Sequence, residues 1–478
     1  MMRSLLSGVV AVVAAACAVE APPSLVIRAG RVIDGSGAPA RDRVRILVKD
    51  GSIAALADDD DSPLPAAAAV IDLGDLTLLP GLVNAHAHLF SSGACDPKLD
   101  QGPFQALRNL HADLQAGVTT VADLGAPAPL AIALRRFVGT ARHRGPRVLV
   151  SGPVLTAPGG YPIDFLGREL VDAKAVVELA GPEAAVAVVR GLAAEGVDFI
   201  KVALQEVSYN GAPLPLLSPA TLCATVKEAH RQELRVLAHA ITARGYALAL
   251  ECGVDALMHG AIEPLADDLI AKVKDKRTPV APTIFVFAAP LWGPKHLERL
   301  DRPAVRALLS DAARADLRRY AAEDRKQETL LPPFLMPGIS RARAEQAVES
   351  LGANTGKLAA AGVELGLGTD AATCFDLHGS PVEELLLLEQ AGLSRLAVLR
   401  AATWGGARLV NLHDAVGLVQ VGYRADLIAV AGRPDLRLTD VTEVRRVFVD
   451  GVEQRLEPPG IFEGLELVAR LAWAAMGR

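Results

Sequence analysis

From residue 81 to residue 415 the chain alternates short apolar runs with longer stretches rich in Ala and Leu. Eight such runs have strand length, and they end near His86, Asp123, Ser151, Lys201, His239, His259, Thr283 and Asp370. Between them lie stretches such as "PEAAVAVVRGLAAEG" and "SPATLCATVKEAHRQE", whose apolar residues recur at helical spacing. Parallel strands require long crossovers, and a helix is the ordinary way to make one. The pattern therefore predicts an α/β fold, a closed TIM-like (β/α)8 barrel with its active site at the C-terminal ends of the strands. The core of that barrel must be built mainly from Ala, Val and Leu, because the chain is 51% hydrophobic but only 4% aromatic.

Residues 25–80 have a different texture. "SLVIRAGRVIDGSG" and "VRILVKDGSIAALA" alternate Val and Ile between Asp-Gly and Gly-Ser turns, as hairpins do. Residues 416–460 repeat that texture in "VGLVQVGYRADLIAV" and "VRRVFVDGVEQ". The two ends are thus expected to meet in one small composite β-sandwich, with the barrel (81–415) inserted between them and a C-terminal helix over 461–478. Residues 286–360 break the regular alternation with charged helical segments around "LLPPFLMPG". A connection of that length is usually functional or has structure of its own, and it is expected to form a helical lid.

Residues 1–24 look like an export signal: Arg3, then an apolar stretch from Leu5 to Ala16, then small residues. The apolar stretch is too short to span a bilayer comfortably. Cys17 after "AAA" resembles a bacterial lipoprotein cleavage site, so a lipid anchor at Cys17 and soluble release into the periplasm are both open. The net charge of -6 argues against nucleic acid or an anionic membrane surface as partner, and a transmembrane body is not expected.

The polar residues at the strand ends form a set. In "NAHAH", His86 and His88 stand two residues apart and so share one face of a strand. "FIKVAL" adds Lys201, "VLAHA" His239, "LMHG" His259 and "GLGTDA" Asp370. Imidazole and carboxylate suit zinc and related divalent ions. Four histidines and an aspartate exceed one tetrahedral shell, so two ions are implied, with an anion to bridge them. Lys201 can supply it if its buried amine stays neutral and takes up carbon dioxide to form a carbamate.

These motifs give a resemblance. "LPGLVNAHAH", "AGVTTVADLG", "GVDFIKVAL", "RVLAHA", "GVDALMHG", "VAPTIFVF", "LGLGTDA" and "RAATWGGARLV" occur in the order found in metal-dependent amidohydrolases. The chain is similar to the imidazolonepropionase and prolidase-like branch of that superfamily. The resemblance implies that His86, His88 and Asp370 bind one zinc-like ion, that His239 and His259 bind the other, and that carbamylated Lys201 bridges them. It also implies a mechanism in which a hydroxide shared by the two ions attacks a carbonyl, with Asp370 as general base and then acid. The substrate would be an amide: a dipeptide, an N-acyl amino acid or a cyclic amide. The alternatives are a cyclic-amide hydrolase of the imidazolonepropionase type and a barrel that binds metal or ligand without catalysis.

Two departures bear on substrate. Related deaminases carry a glutamate three residues after the strand-five histidine, where this chain has Thr242, so deamination is not expected. Prolidase-like relatives have "VRD" and "GGHG" where this chain has "VAD" and "APGGYP", which weakens the case for binding a free carboxylate. Tyr161, Tyr209 and His378 are the expected substrate contacts. Phe285, Phe287 and Trp292 would line the pocket or anchor the lid. Strands one and eight are neighbours in a closed barrel, so Cys95 and Cys374 are expected to pair in an oxidising compartment. Cys223 and Cys252 are either a second pair or two buried thiols.

Overall fold

The structure is a computed structural model that describes residues 25–60, 68–139, 145–326, 340–457 and 461–475. The proposed signal and lipidation site (1–24) and the "LLPPFLMPG" segment lie outside these residues.

Seven parallel strands carry the centre of the molecule: β1 (Leu82–Ala87), β2 (Val118–Asp123), β3 (Arg147–Val150), β4 (Phe199–Leu204), β5 (Arg235–Ala240), β6 (Ala256–Met258) and β7 (Val280–Ala281). Every residue of β1, β2 and β4 is buried, as expected of strands covered on both faces. The architecture is TIM-barrel-like, but the strands form two sheets rather than one unbroken ring. β1 to β3 make one sheet, and β4 to β7 make another with two short strands, Val154–Thr156 and Val176–Glu178, that the sequence pattern did not suggest. At one seam Asp198 N donates to Val150 O (2.8 Å) and Val150 N donates to Asp198 Oδ2 (2.8 Å). At the other, the predicted eighth strand is an irregular segment, residues 364–371. It accepts from Val280 N through Glu364 O (3.0 Å) and from Ala85 N through Leu367 O (2.9 Å), and Asp370 N donates to His86 O (2.7 Å). Close packing at this seam explains "WGG": a Cβ on Gly405 would lie 2.2 Å from Leu365 O, and one on Gly406 2.2 Å from Val83 O.

The two chain ends do meet, in a single eight-stranded sheet rather than in two facing sheets. Its order is 452–453, 444–449, 427–430, 77–80, 25–32, 41–49, 52–58, with 69–72 pairing beside 25–32. Val44, Ile46 and Val48 alternate inward and join Ile27, Leu78, Leu427 and Phe448 in a core separate from that of the barrel. Arg147, at the start of β3, docks this sheet on the barrel through Asp426 (3.2 Å) and Asp450 (2.6 Å).

The long connection is helical: α1 (Ile284–Trp292), α2 (Pro303–Leu308), α3 (Asp311–Asp324) and α4 (Arg341–Ala360), with 3-10 turns after α1. It does not behave as one unit. Leu351 and Leu358 of α4 belong to the main core, and Asn354 bonds Leu265 N, Ala261 O and Glu263 O. That makes α4 an outer barrel helix rather than part of a lid. The remainder packs Leu300, Leu308, Leu317 and Tyr320 around Cys95, Cys374 and Phe375. Cys95 and Cys374 are bonded, Cα–Cα 4.3 Å, and so are Cys223 and Cys252, Cα–Cα 4.6 Å. Among the described residues no helix is long and apolar enough to cross a membrane.

Candidate metal centre

The strand ends bring the predicted ligands together. Asp370 Oδ1 lies 3.1 Å from His86 Nε2 and 3.0 Å from His88 Nε2, and Lys201 Nζ lies 3.2 Å from His86 Nε2. The donor atoms of His86, His88 and Asp370 fall within 4.8 Å of one another, compact enough for one cation. His259 stands beside this group, with Nδ1 3.9 Å from Asp370 Oδ2 and its ring 4.8 Å from that of His86. The His239 ring is 4.3 Å from that of His259.

What holds these side chains was only partly visible in the sequence. Asn84, in the same "NAHAH" run, accepts from Thr369 N (3.0 Å) and donates to Thr369 Oγ1 (2.8 Å), so it locks β1 to the segment that carries Asp370. His239 Nε2 meets Gln205 Oε1 at 2.7 Å, and His259 Nδ1 meets Thr283 Oγ1 at 2.7 Å. Each histidine thereby keeps its other ring nitrogen available as a ligand, with orientation set by an outer partner. Thr242, where a deaminase would carry glutamate, caps the helix Ala243–Cys252 by accepting from Gly245 N and donates to Glu206 (2.8 Å). Three successive strand ends place non-glycine residues in the left-handed region: His259 at φ 82°, Thr283 at 47° and Asp370 at 60°. Such backbone costs roughly 1–3 kcal/mol per residue and gathers at functional sites.

The electrostatics suit a cation. Burial, reinforced by Lys201 and neighbouring imidazoles, holds His86 and His239 well below the ordinary histidine range; in His259 burial acts first, then His239. Neutral imidazole is the ligand form. Burial also brings Lys201 down to about 7, against the opposing pull of Asp370, so much of its amine is unprotonated near neutral pH. His86 Nδ1 and Asp370 Oδ1 are buried without hydrogen-bond partners. A donor set of imidazole and carboxylate with orphaned buried atoms fits a divalent ion at His86, His88 and Asp370.

The expected substrate contacts separate into two kinds. Tyr161 stacks on His239 with ring centroids 4.1 Å apart and 18° between planes, and its hydroxyl is hydrogen-bonded to that of Tyr209. Phe287 faces both His259 (6.1 Å) and Tyr209 (6.0 Å), so it lines the site, whereas Phe285 is buried among the residues around the disulfide. Trp292 is 37% exposed, with the Arg299 guanidinium 5.4 Å from its ring.

His378 does not line a pocket wall. Its side chain is fully buried, with Nδ1 2.9 Å from Asp113 Oδ2 and Nε2 3.2 Å from His88 O. Two acceptors around one ring favour its protonated form. Burial opposes that charge, but Asp113 outweighs it and raises the pKa. His378 therefore steadies the strand end that carries His88.

The amidohydrolase family model matches residues 77–453. An uncharacterized protein of Mycobacterium tuberculosis is 26% identical over 378 residues, 79% of this chain and 84% of the relative. The crystal structure of a Xaa-Pro dipeptidase with bound methionine in the active site superposes with a TM-score of 0.74 at 24% identity, covering 90% of this chain and all of that one. A 5-methylthioadenosine/S-adenosylhomocysteine deaminase of Desulforudis audaxviator is 42% identical over 82 residues, but that is only 15% of this chain and 19% of the relative.

Proposed function

Because this chain belongs to the amidohydrolase family, we propose that it is an exported, binuclear metal hydrolase cleaving the C–N amide bond of a small molecule or short peptide. The observation that carries this reading is the convergence of His86, His88 and Asp370 beside Lys201, His239 and His259 at the strand ends. His86, His88 and Asp370 would hold one ion, His239 and His259 the other, and Lys201, as a carbamate, would bridge them. Zinc suits imidazole and carboxylate donors. When bound, such ions would supply Lewis acidity and lower the pKa of a water toward neutrality.

The chain's own residues do the rest. Asp370 takes the proton from the attacking water and delivers it to the departing nitrogen, a transfer suited to a carboxylate fixed between two imidazoles. Tyr161 and Tyr209 place hydroxyls beside His239, where a substrate carbonyl can accept a hydrogen bond. Phe287 supplies an apolar wall that helps exclude water. The absence of the arginine of "VRD" and the histidine of "GGHG" favours N-acyl or cyclic amides alongside dipeptides. Export is supported by the apolar stretch Leu5–Ala16 and by two disulfides, which persist in oxidising compartments.

A screen of dipeptides, N-acyl amino acids and lactams, run beside metal analysis, tests the proposal. Two ions per chain and turnover of one class are expected, with Asp370→Asn lowering kcat by about a thousandfold or more. Two ions with no turnover on any class would leave a binding protein instead.

A further inference from the structure

The end of the barrel opposite the metal centre holds a cavity of about 520 Å³ whose walls include Arg235, Asp255, Lys276, Arg277, Arg408 and Asn411. Four cations face one carboxylate there, in a chain whose net charge is -6. That carboxylate is already committed: Asp255 Oδ2 accepts from Val236 N (2.8 Å) and meets His230 Nε2 at 2.9 Å, while Oδ1 stands 3.7 Å from Arg235 Nε. Arg235 donates to two carbonyls, Arg408 O at 3.0 Å and Asp255 O at 2.9 Å, neither of which carries a charge. Among the described residues, Lys276, Arg277 and Arg408 have no carboxylate within salt-bridge distance of their side-chain nitrogens, whereas Arg31, Arg135, Arg190 and Arg400 each have at least one.

Bringing like charges together around a concave surface is unfavourable unless something neutralises them, and concavity concentrates the field. Burial and Arg408 hold Arg235 below its ordinary range, with Asp255 pulling the other way, so the cations feel one another. We propose that this cavity is a binding site for a small, multiply charged oxyanion of the phosphate or sulfate type. The arginine guanidinium groups supply paired donors matched to such oxygens, and Lys276 adds a point charge.

The site is placed to influence the metal centre. Arg235 and His239 lie on the same strand four residues apart, so both point to one face, with Leu237 of the barrel interior between them. The separation along β5 is about 13 Å. An anion drawing on Arg235 would act on the base of the strand that presents His239.

The test uses the full-length, metal-loaded protein and two probes, inorganic phosphate and sulfate, with chloride at matched ionic strength as reference. Calorimetric titration should show saturable binding of at least one probe. Arg277→Gln/Arg408→Gln should weaken it tenfold or more while leaving the metal content unchanged. Lys276→Gln/Arg277→Gln, both at exposed positions, should weaken it as well and covers the case in which the first variant does not fold. The proposal is overturned if phosphate and sulfate do no more than chloride. It is equally overturned if the folded variants bind them as the wild type does, which would put the anion at the metal centre or elsewhere.

Discussion

The strand ends of the barrel and its junction with the terminal sheet handle charge in opposite ways. At the junction, the chain provides its own partners: Arg147 is met by Asp426 and Asp450, and Arg424 reaches Asp450 as well. At the strand ends, imidazoles held neutral by burial crowd an aspartate whose Oδ1 has no hydrogen-bond donor, on backbone bent into the left-handed region. One arrangement is complete within the protein and contributes adhesion. The other is a set of imidazole and carboxylate donors whose chemistry suits a cation. Burial alone does not separate the two, since both contain side chains at 2% exposure or less; what separates them is whether opposite charges pair within the chain.

Removing Lys201 should break the comparison most severely. Lys201→Gln keeps the size of the side chain but cannot form a carbamate, so bound metal should fall below two ions per chain. Activity should fall by more than the roughly 10–100-fold that loss of an outer partner costs. Plasma mass spectrometry and initial rates measure both, and full metal content with intact rates would remove Lys201 from the bridge.

At the junction, Arg147→Ala leaves Asp426, 2% exposed, buried without its cation. Breaking such a pair should cost roughly 3 kcal/mol in urea denaturation. Metal content and kcat should stay at wild-type levels. Loss of metal in this variant would mean that the two regions are not independent.

A subtler effect is expected at Glu384, whose carboxylate accepts from Ile284 N (3.0 Å) and Phe285 N (2.7 Å) at the start of α1. Burial raises its pKa from 4.5 to about 7, against the lowering effect of those N–H groups. Between those values the native state keeps a proton that the unfolded state has released. Stability from this group is therefore present at the acid end of the window and is lost as pH rises toward 7. Glu384→Gln mimics the protonated form, so urea midpoints of the wild type should match it at the acid end and fall below it as pH rises across that range, and a constant gap would exclude titration there.

That His86 and His88 share a face was legible because strand alternation is local: two residues apart in "NAHAH" means one face, whatever the rest of the chain does. Gln205 and Thr283 were not legible as partners of His239 and His259, because each pairing joins different strand ends and depends on how loops meet. His378 was placed on a pocket wall from its position after Asp370 alone. Its actual role needed Asp113, 265 residues away in sequence, to be brought beside it. A sandwich was expected where the terminal strands form one sheet, because hairpin texture specifies strands and says little about whether they hydrogen-bond into one sheet or two. The same holds for residues 341–360, whose helical pattern was clear while the core it enters was not.

What the sequence determined by itself is the periodicity of its elements and the chemical identity of the donors at their ends, since both follow from neighbours along the chain. The tertiary structure alone decided which imidazole nitrogens already have an outer partner, which histidine sits between two acceptors, and where four cations gather with one carboxylate. Those outcomes depend on distances between residues remote in sequence, and on the removal of water that makes such distances matter.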